Sequence, residues 1–180
     1  ANYNNWLGVP LTLAGMPEKT DYAVIEMGMN HNGELSELTQ LVKPDFSLIT
    51  MIGWAHREFF KTLKQIALAK SEIFEGTTKG VFLNTECEEL SVLEEKASPL
   101  PVTYFGENPK ANVRLLDLTE TENGSDIKAM CFGKEVRYHL GMNGAHFAHN
   151  SLGVLAILFK LEKDDEAGIR RLSDLKPFKG

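Results

Sequence analysis

A chain of 180 residues with 43% apolar and 24% charged residues has the make-up of an ordinary globular protein, one domain or one with an appendage. Its formal net charge of −6 argues against nucleic acid as a partner, because a nucleic-acid backbone selects a basic face, but it leaves nucleotides open, since dipoles, metals and a few cations bind those locally. The two cysteines, Cys87 and Cys131, lack a zinc-ligand spacing and suit a reducing compartment; with no signal-peptide pattern, and no apolar stretch longer than Leu152–Phe159, no membrane span and a cytoplasmic location are expected.

Asn2–Gly8 is polar and turn-like, and Pro10–Met16 predicts a short helix or a packed loop. Tyr22–Met27 predicts the first strand, its apolar run Tyr22–Ile25 suiting a sheet covered on both faces. Gly33 opens a helix with Leu35, Leu38, Leu41 and Val42 on one face, and Pro44 ends it. Phe46–Ile52 predicts a second buried strand, so this spacing gives a right-handed βαβ unit. After a polar loop, Gly53–Lys61, a helix is expected from Thr62 to Glu75, with Gly76 as its stop. Val81–Asn84 predicts a third strand, Glu88–Lys96 a helix and Val102–Phe105 a fourth strand. Beyond Asn108 the pattern alternates, and Val113–Thr121, Asp126–Phe132 and Val136–Leu140 predict antiparallel strands with a hairpin turn at Gly133-Lys134. A long helix, Gly144–Leu161, and a shorter one near Asp165–Leu172 follow. The fold class is α/β: a mostly parallel sheet flanked by helices, with a small antiparallel β appendage.

The chemistry-bearing residues cluster at predicted strand ends. Glu26 closes the first strand, and open α/β sheets bind ligands beyond the carboxyl ends of their strands. It is placed there to hold a cation or a polar substrate, or it is a strand-end acid that is paired or solvated. Gly28 permits a sharp turn, and Asn30 and His31 add polar groups to the same edge. His56 follows the second strand. With Glu26 it makes a partial shell for a divalent cation; taken alone it is a surface histidine. Lys70 interrupts the apolar stripe Leu63, Ile66, Ala67, Ile73 and Phe74. A lysine there either snorkels to solvent or serves a function, since a desolvated amine can react with an electrophile such as carbon dioxide. His146 and Asn150 are four apart on the long helix, off the stripe Ala148, Leu152, Leu155 and Phe159. They can contact a base or ribose, an Asn amide matching adenine's donor–acceptor edge, or they can cap and solvate the first turn. The 180 residues hold no G-x-x-x-x-G-K-[ST] loop, G-x-G-x-x-G, nucleophile elbow or H-E-x-x-H.

Order and spacing carry more than any single residue. Asn2-Tyr3-Asn4-Asn5-Trp6-Leu7-Gly8-Val9-Pro10, Glu26-Met27-Gly28-Met29-Asn30-His31-Asn32-Gly33-Glu34, Ala55-His56-Arg57-Glu58-Phe59-Phe60 and Ala69-Lys70-Ser71-Glu72-Ile73-Phe74-Glu75-Gly76 closely resemble the central domain of the Mur ligases. Within that family the match is to the MurF-type branch, which joins D-alanyl-D-alanine to UDP-N-acetylmuramoyl-tripeptide in peptidoglycan synthesis. Gly144-Ala145-His146 with Asn150-Ser151-Leu152 is similar to a further segment of the family. The resemblance implies a P-loop-type ATPase fold and the cofactors ATP and magnesium. It also implies a reaction through an acyl phosphate in a monomeric enzyme of the bacterial cytoplasm. It implies that Glu26 and His56 hold magnesium and that Lys70 is a carbamylated lysine supporting a second magnesium, with His56 and Lys70 serving catalysis. His146 and Asn150 would contact adenosine, Asn4 and Asn5 would lie near the γ-phosphate and the peptide substrate, and Asn30 and His31 would line the same cleft. The chain departs from the family pattern at Lys61, Ala145 and Phe147. Residues 1–175 are expected to be an ATP-binding domain whose phosphate loop lies upstream, and 176–180 the start of a linker to a C-terminal domain; ligation by the 180 residues alone is not expected. The alternatives are another Mur-type or folylpolyglutamate-type ligase, or a non-catalytic nucleotide-binding module.

Overall fold

Strands β1 (Phe46–Ile49), β2 (Gly80–Asn84), β3 (Val102–Gly106), β4 (Val113–Thr121), β5 (Gly124–Cys131) and β6 (Lys134–Leu140) form a sheet in the order β1-β2-β3-β4-β5-β6. The structure, a computed structural model, describes residues 3–54, 58–163 and 166–176. Just ahead of β1 and β2, the backbone bonds Thr78 N–H to Pro44 O (3.0 Å) and Lys79 N–H to Asp45 O (2.8 Å) advance in the same direction along both segments, so the two strands start side by side and run parallel. Val81 N–H to Pro101 O and Thr85 N–H to Phe105 O do the same for β2 and β3. β3 meets β4 in parallel at Phe105 and Val113, whereas β4, β5 and β6 pair antiparallel. The sheet is therefore parallel from β1 to β4, with an antiparallel extension continuous with it. Helices α3 (Leu63–Ser71) and α4 (Leu90–Ala97) supply the crossovers between the first three strands.

Tyr22–Met27 is not a strand. The segment has no regular structure and joins none of the six strands, and Tyr22 (59%) and Val24 (100%) are exposed. A strand exists only through its ladder partners, and an apolar run cannot become one on composition alone. The expected βαβ unit built on it is therefore absent among the described residues; the observed parallel units are β1-α3-β2 and β2-α4-β3.

The chain divides into two compact units. The first comprises residues 1–47, 52–81 and 91–101. It holds α1 (Gly8–Ala14), α2 (Glu34–Val42), α3, most of α4 and a 3-10 turn, Glu72–Gly76. α2 buries Leu35, Leu38 and Thr39, the i, i+3, i+4 spacing of one helical face. Leu41, expected on that face, is 53% exposed, because it lies six residues beyond Leu35 and so has turned away from it. Thr39 takes the core position, its hydroxyl donating to Ile73 O at 2.7 Å. The helix expected over Thr62–Glu75 is α3 followed by the 3-10 turn. Thr62 caps it, accepting from Gln65 N–H at 3.2 Å. Gly76 ends it for a different reason than expected. It does not take the left-handed turn of a terminal glycine; a Cβ there would run into the Thr39 carbonyl.

The second unit comprises residues 48–51, 82–90 and 102–180. β2 is buried along its whole length, and α5 (Ala145–Lys160) packs on β3, β4 and β5 through Ala148, Leu152, Leu155 and Ala156. Phe159 is half-buried, its ring stacked on Phe132 at 5.8 Å. α6 (Glu166–Arg170) and a 3-10 turn, Arg171–Asp174, lie against β6. The β5–β6 turn falls on Phe132-Gly133, one residue earlier than expected: φ is 48° and 86° there, and Cys131 pairs with Lys134. Two successive positive φ values make the tight hairpin that matches strand twist. Cys87 and Cys131 are buried, and neither forms a disulfide.

Candidate functional site

In the first unit the predicted site residues from two distant segments meet. Asn4 Nδ2 donates to Glu26 Oε1 at 2.7 Å, and Gly28 N–H donates to Asn4 O at 2.7 Å. A side chain at position 28 would crowd this amide, since a Cβ there would lie 2.9 Å from Asn4 Nδ2. Glu26 itself is exposed, so one carboxylate oxygen is oriented by an amide while the group faces solvent. Asn5 has a structural role. Its Oδ1 accepts from Leu7 N–H (3.2 Å) and Gly8 N–H (2.9 Å), capping the first turn of α1.

The next stretch is held from both sides. Asn30 N–H donates to Glu34 Oε2 at 2.8 Å, so the first residue of α2 reaches back over the loop that precedes it. His31 packs its ring edge-on against Phe59 at 4.3 Å, and both are exposed. Gly33 adopts φ 90° and its N–H donates to both carboxylate oxygens of Glu72, at 2.8 and 2.9 Å. Ser36 N–H adds a longer bond of 3.4 Å to the same carboxylate. An acceptor with negative charge is the group that the bare N–H donors of a helix start favour. Sequence reasoning does not single out Glu72 and Phe59; both stand in segments that carry the family resemblance, which is the available signal.

Lys70 lies in the last turn of α3, half-buried, two residues before Glu72. Ile66, Ala67 and Phe74 of its stripe are buried, so the lysine does sit on the helix's core-facing side. His56 lies outside the described residues. Among the described residues no cluster of three His, Cys, Asp or Glu side chains is arranged to hold a metal ion. The donor chemistry of Glu26 nevertheless fits magnesium, which takes one or two carboxylates together with substrate phosphates and water.

In the second unit, His146 and Asn150 occupy the first turns of α5, both exposed. His146 leans on Phe147 at 4.0 Å between ring centres. Beside them runs a network that the sequence does not disclose. His149, half-buried, bonds through Nε2 to Glu107 Oε1 at 2.8 Å, and Glu107 N–H donates to Glu86 Oε1 at 3.0 Å. The buried Asn84 receives Glu86 N–H on Oδ1 (2.9 Å) and donates to Thr50 O (2.8 Å), tying together the ends of β1 and β2. The Thr85 hydroxyl holds the Glu86 carboxyl below the usual carboxylate range, against the opposing pull of burial; the Glu107 and Asn108 amides and the nearby His149 add to the lowering. This polar edge lies at the carboxyl ends of parallel strands, where α/β sheets receive ligands.

Comparison with known proteins places these observations. A UDP-N-acetylmuramoyl-tripeptide–D-alanyl-D-alanine ligase from Rickettsia prowazekii is 36% identical over 185 aligned positions, covering 99% of this chain and 41% of that protein. The chain thus spans about two fifths of the length of such relatives. A crystal structure of MurF from Acinetobacter baumannii superposes with a TM-score of 0.93 at 26% identity, covering 100% of this chain and 40% of that one. MurF ligase from Thermotoga maritima, in complex with ADP, has the same fold, with a TM-score of 0.75 at 22% identity over 96% of this chain and 40% of that one. The family pattern of the Mur ligase middle domain matches residues 1–158, and the chain belongs to that family.

Proposed function

We propose that this chain is the ATP-binding part of a ligase that adds D-alanyl-D-alanine to UDP-N-acetylmuramoyl-tripeptide in the bacterial cytoplasm, acting as a monomer. The observation that carries the reading is the Asn4–Glu26 bond, which joins two signature segments 22 residues apart into one polar site. Family membership over residues 1–158 and ligase relatives matched along nearly the whole chain support it. The ADP held by the Thermotoga maritima protein supports a nucleotide as cofactor.

In this reading Glu26 and His56 hold magnesium, oriented on the Glu26 side by Asn4, and a carbamylated Lys70 supports a second ion. Magnesium, when bound, neutralises the phosphate charge that builds up during transfer. His146 and Asn150 take the adenosine, and Asn30 and His31 line the cleft. Asn4 and Asn5 lie near the γ-phosphate. Since the Asn5 carbonyl is committed to α1, any substrate contact by Asn5 falls to its amide nitrogen. The chain then contributes positioning and charge placement rather than covalent chemistry: the tripeptide carboxylate takes the γ-phosphoryl group, and the dipeptide amine displaces phosphate.

The test is phosphate release by the complete polypeptide that carries this domain, given ATP, magnesium and the UDP-sugar tripeptide. Release that requires D-alanyl-D-alanine, and that single amino acids do not support, is the expected result. Release driven by a single amino acid, or by glutamate on a folate, would assign the chain to another ligase; no nucleotide turnover with any acceptor would favour a non-catalytic module.

A further inference from the structure

Glu72 makes one of the longest-range polar links in the first unit, joining residues 39 apart in sequence, and the proposed chemistry gives it no part. Its two oxygens receive Gly33 N–H at 2.8 and 2.9 Å and Ser36 N–H at 3.4 Å. On one side of this link stands the loop Asn30–Gly33, which follows Glu26 closely in the chain and is fixed to α2 by Glu34. On the other side stands Lys70, one helical half-turn before Glu72. A cleft of about 330 Å³ lies here, lined by Asn32 of the loop and by Gln65, Leu68 and Ser71 on α3. Side-chain packing therefore does not fill the space between the loop and α3; the carboxylate bridges its edge. Further along, α2 is anchored independently, Thr39 to Ile73.

We propose that Glu72 is a positioning residue, whose carboxylate sets the distance between the Glu26–Gly33 segment and the Lys70 helix. The proposal rests on the reading of Glu26 and Lys70 as magnesium residues. In this role Glu72 is not itself a ligand of nucleotide or metal. It acts through the backbone of Gly33, and its loss lets the loop shift while α2 stays docked. Misplacement of groups by about 1 Å is enough to cost a positioning-based reaction of the order of a hundred-fold.

The experiment uses the complete polypeptide with Glu72→Ala, Glu72→Gln and Glu26→Ala, reading amide hydrogen exchange, magnesium–ADP affinity by calorimetry, and kcat and KM. For Glu72→Ala the expected result is faster exchange confined to Asn30–Ser36. Magnesium–ADP binding should weaken about ten-fold, and kcat should fall with KM for D-alanyl-D-alanine unchanged. Glu72→Gln keeps one carbonyl acceptor of the same reach and should recover part of each effect; it decides the matter if Glu72→Ala does not fold. Wild-type affinity and kcat in Glu72→Ala, or in Glu72→Gln while exchange at Gly33 is faster, would overturn the proposal, as would accelerated exchange spread over all of α2 and α3. Unchanged magnesium–ADP affinity in Glu26→Ala would instead overturn the metal reading on which the proposal stands.

Discussion

Glu26 shows what a single residue owes to its neighbours. Its place after an apolar run is visible in the sequence, and so is Asn4, but not the bond between them, nor that a side chain at position 28 would crowd the Asn4 amide. Asn4→Ala removes the amide that orients Glu26. It should weaken magnesium–nucleotide binding about ten-fold or more, the scale seen when a partner of a metal ligand is lost. Calorimetry on the complete polypeptide checks this, and unchanged affinity would separate Asn4 from the metal. A second residue-scale prediction concerns His139, whose pKa is raised above the ordinary 6.5, chiefly by its bond to Asp126 at 2.7 Å. A raised folded-state pKa means the pair stabilises fully below pH 6.5 and loses its contribution as pH rises through the folded value. The pair is largely exposed, so the contribution is at most about 0.5 kcal/mol. NMR titration should show the His139 pKa dropping toward the ordinary value in Asp126→Asn; an unchanged titration would contradict the assignment.

At the scale of elements, the sequence is legible where burial follows a simple period and misleading where a partner decides. α2, α5, β5 and β6 stand close to their expected bounds because their apolar residues repeat at 3.6 or 2. Tyr22–Met27 misleads because pairing, not composition, makes a strand. Leu41 misleads because a leucine near a helix end looks apolar whatever its phase, while Thr39 enters the core through a hydroxyl bond that hydrophobicity cannot announce. Gly76 belongs here too. It reads as a helix stop, yet its real requirement is the closeness of α2, with the Thr39 backbone where a side chain would begin. Gly76→Ala should therefore destabilise the first unit by about 1–3 kcal/mol, the cost of overpacking a tight contact. Chemical denaturation compared with Glu95→Gly, a change at an exposed position inside α4 costing about 1 kcal/mol, checks the scale.

For the molecule as a whole, parallel strands joined by helices are legible in the alternation of apolar runs and amphipathic stretches, and the family in four ordered segments. The sheet's antiparallel strands are its continuation rather than a separate piece. What sequence cannot supply are the cross-links between distant segments: Asn4 to Glu26, Glu72 to Gly33, and His149 through Glu107 to Glu86. Each joins residues whose types are common and whose separation carries no period, so only the folded backbone reveals them. The proposed chemistry stands on Glu26 as a magnesium ligand for a nucleotide. Its most direct test is calorimetric titration of magnesium–ADP into the complete polypeptide, wild type against Glu26→Ala. Affinity should be at least about ten-fold weaker in the variant, with the difference vanishing when magnesium is withheld; equal affinity in the presence of magnesium would contradict the role given to Glu26.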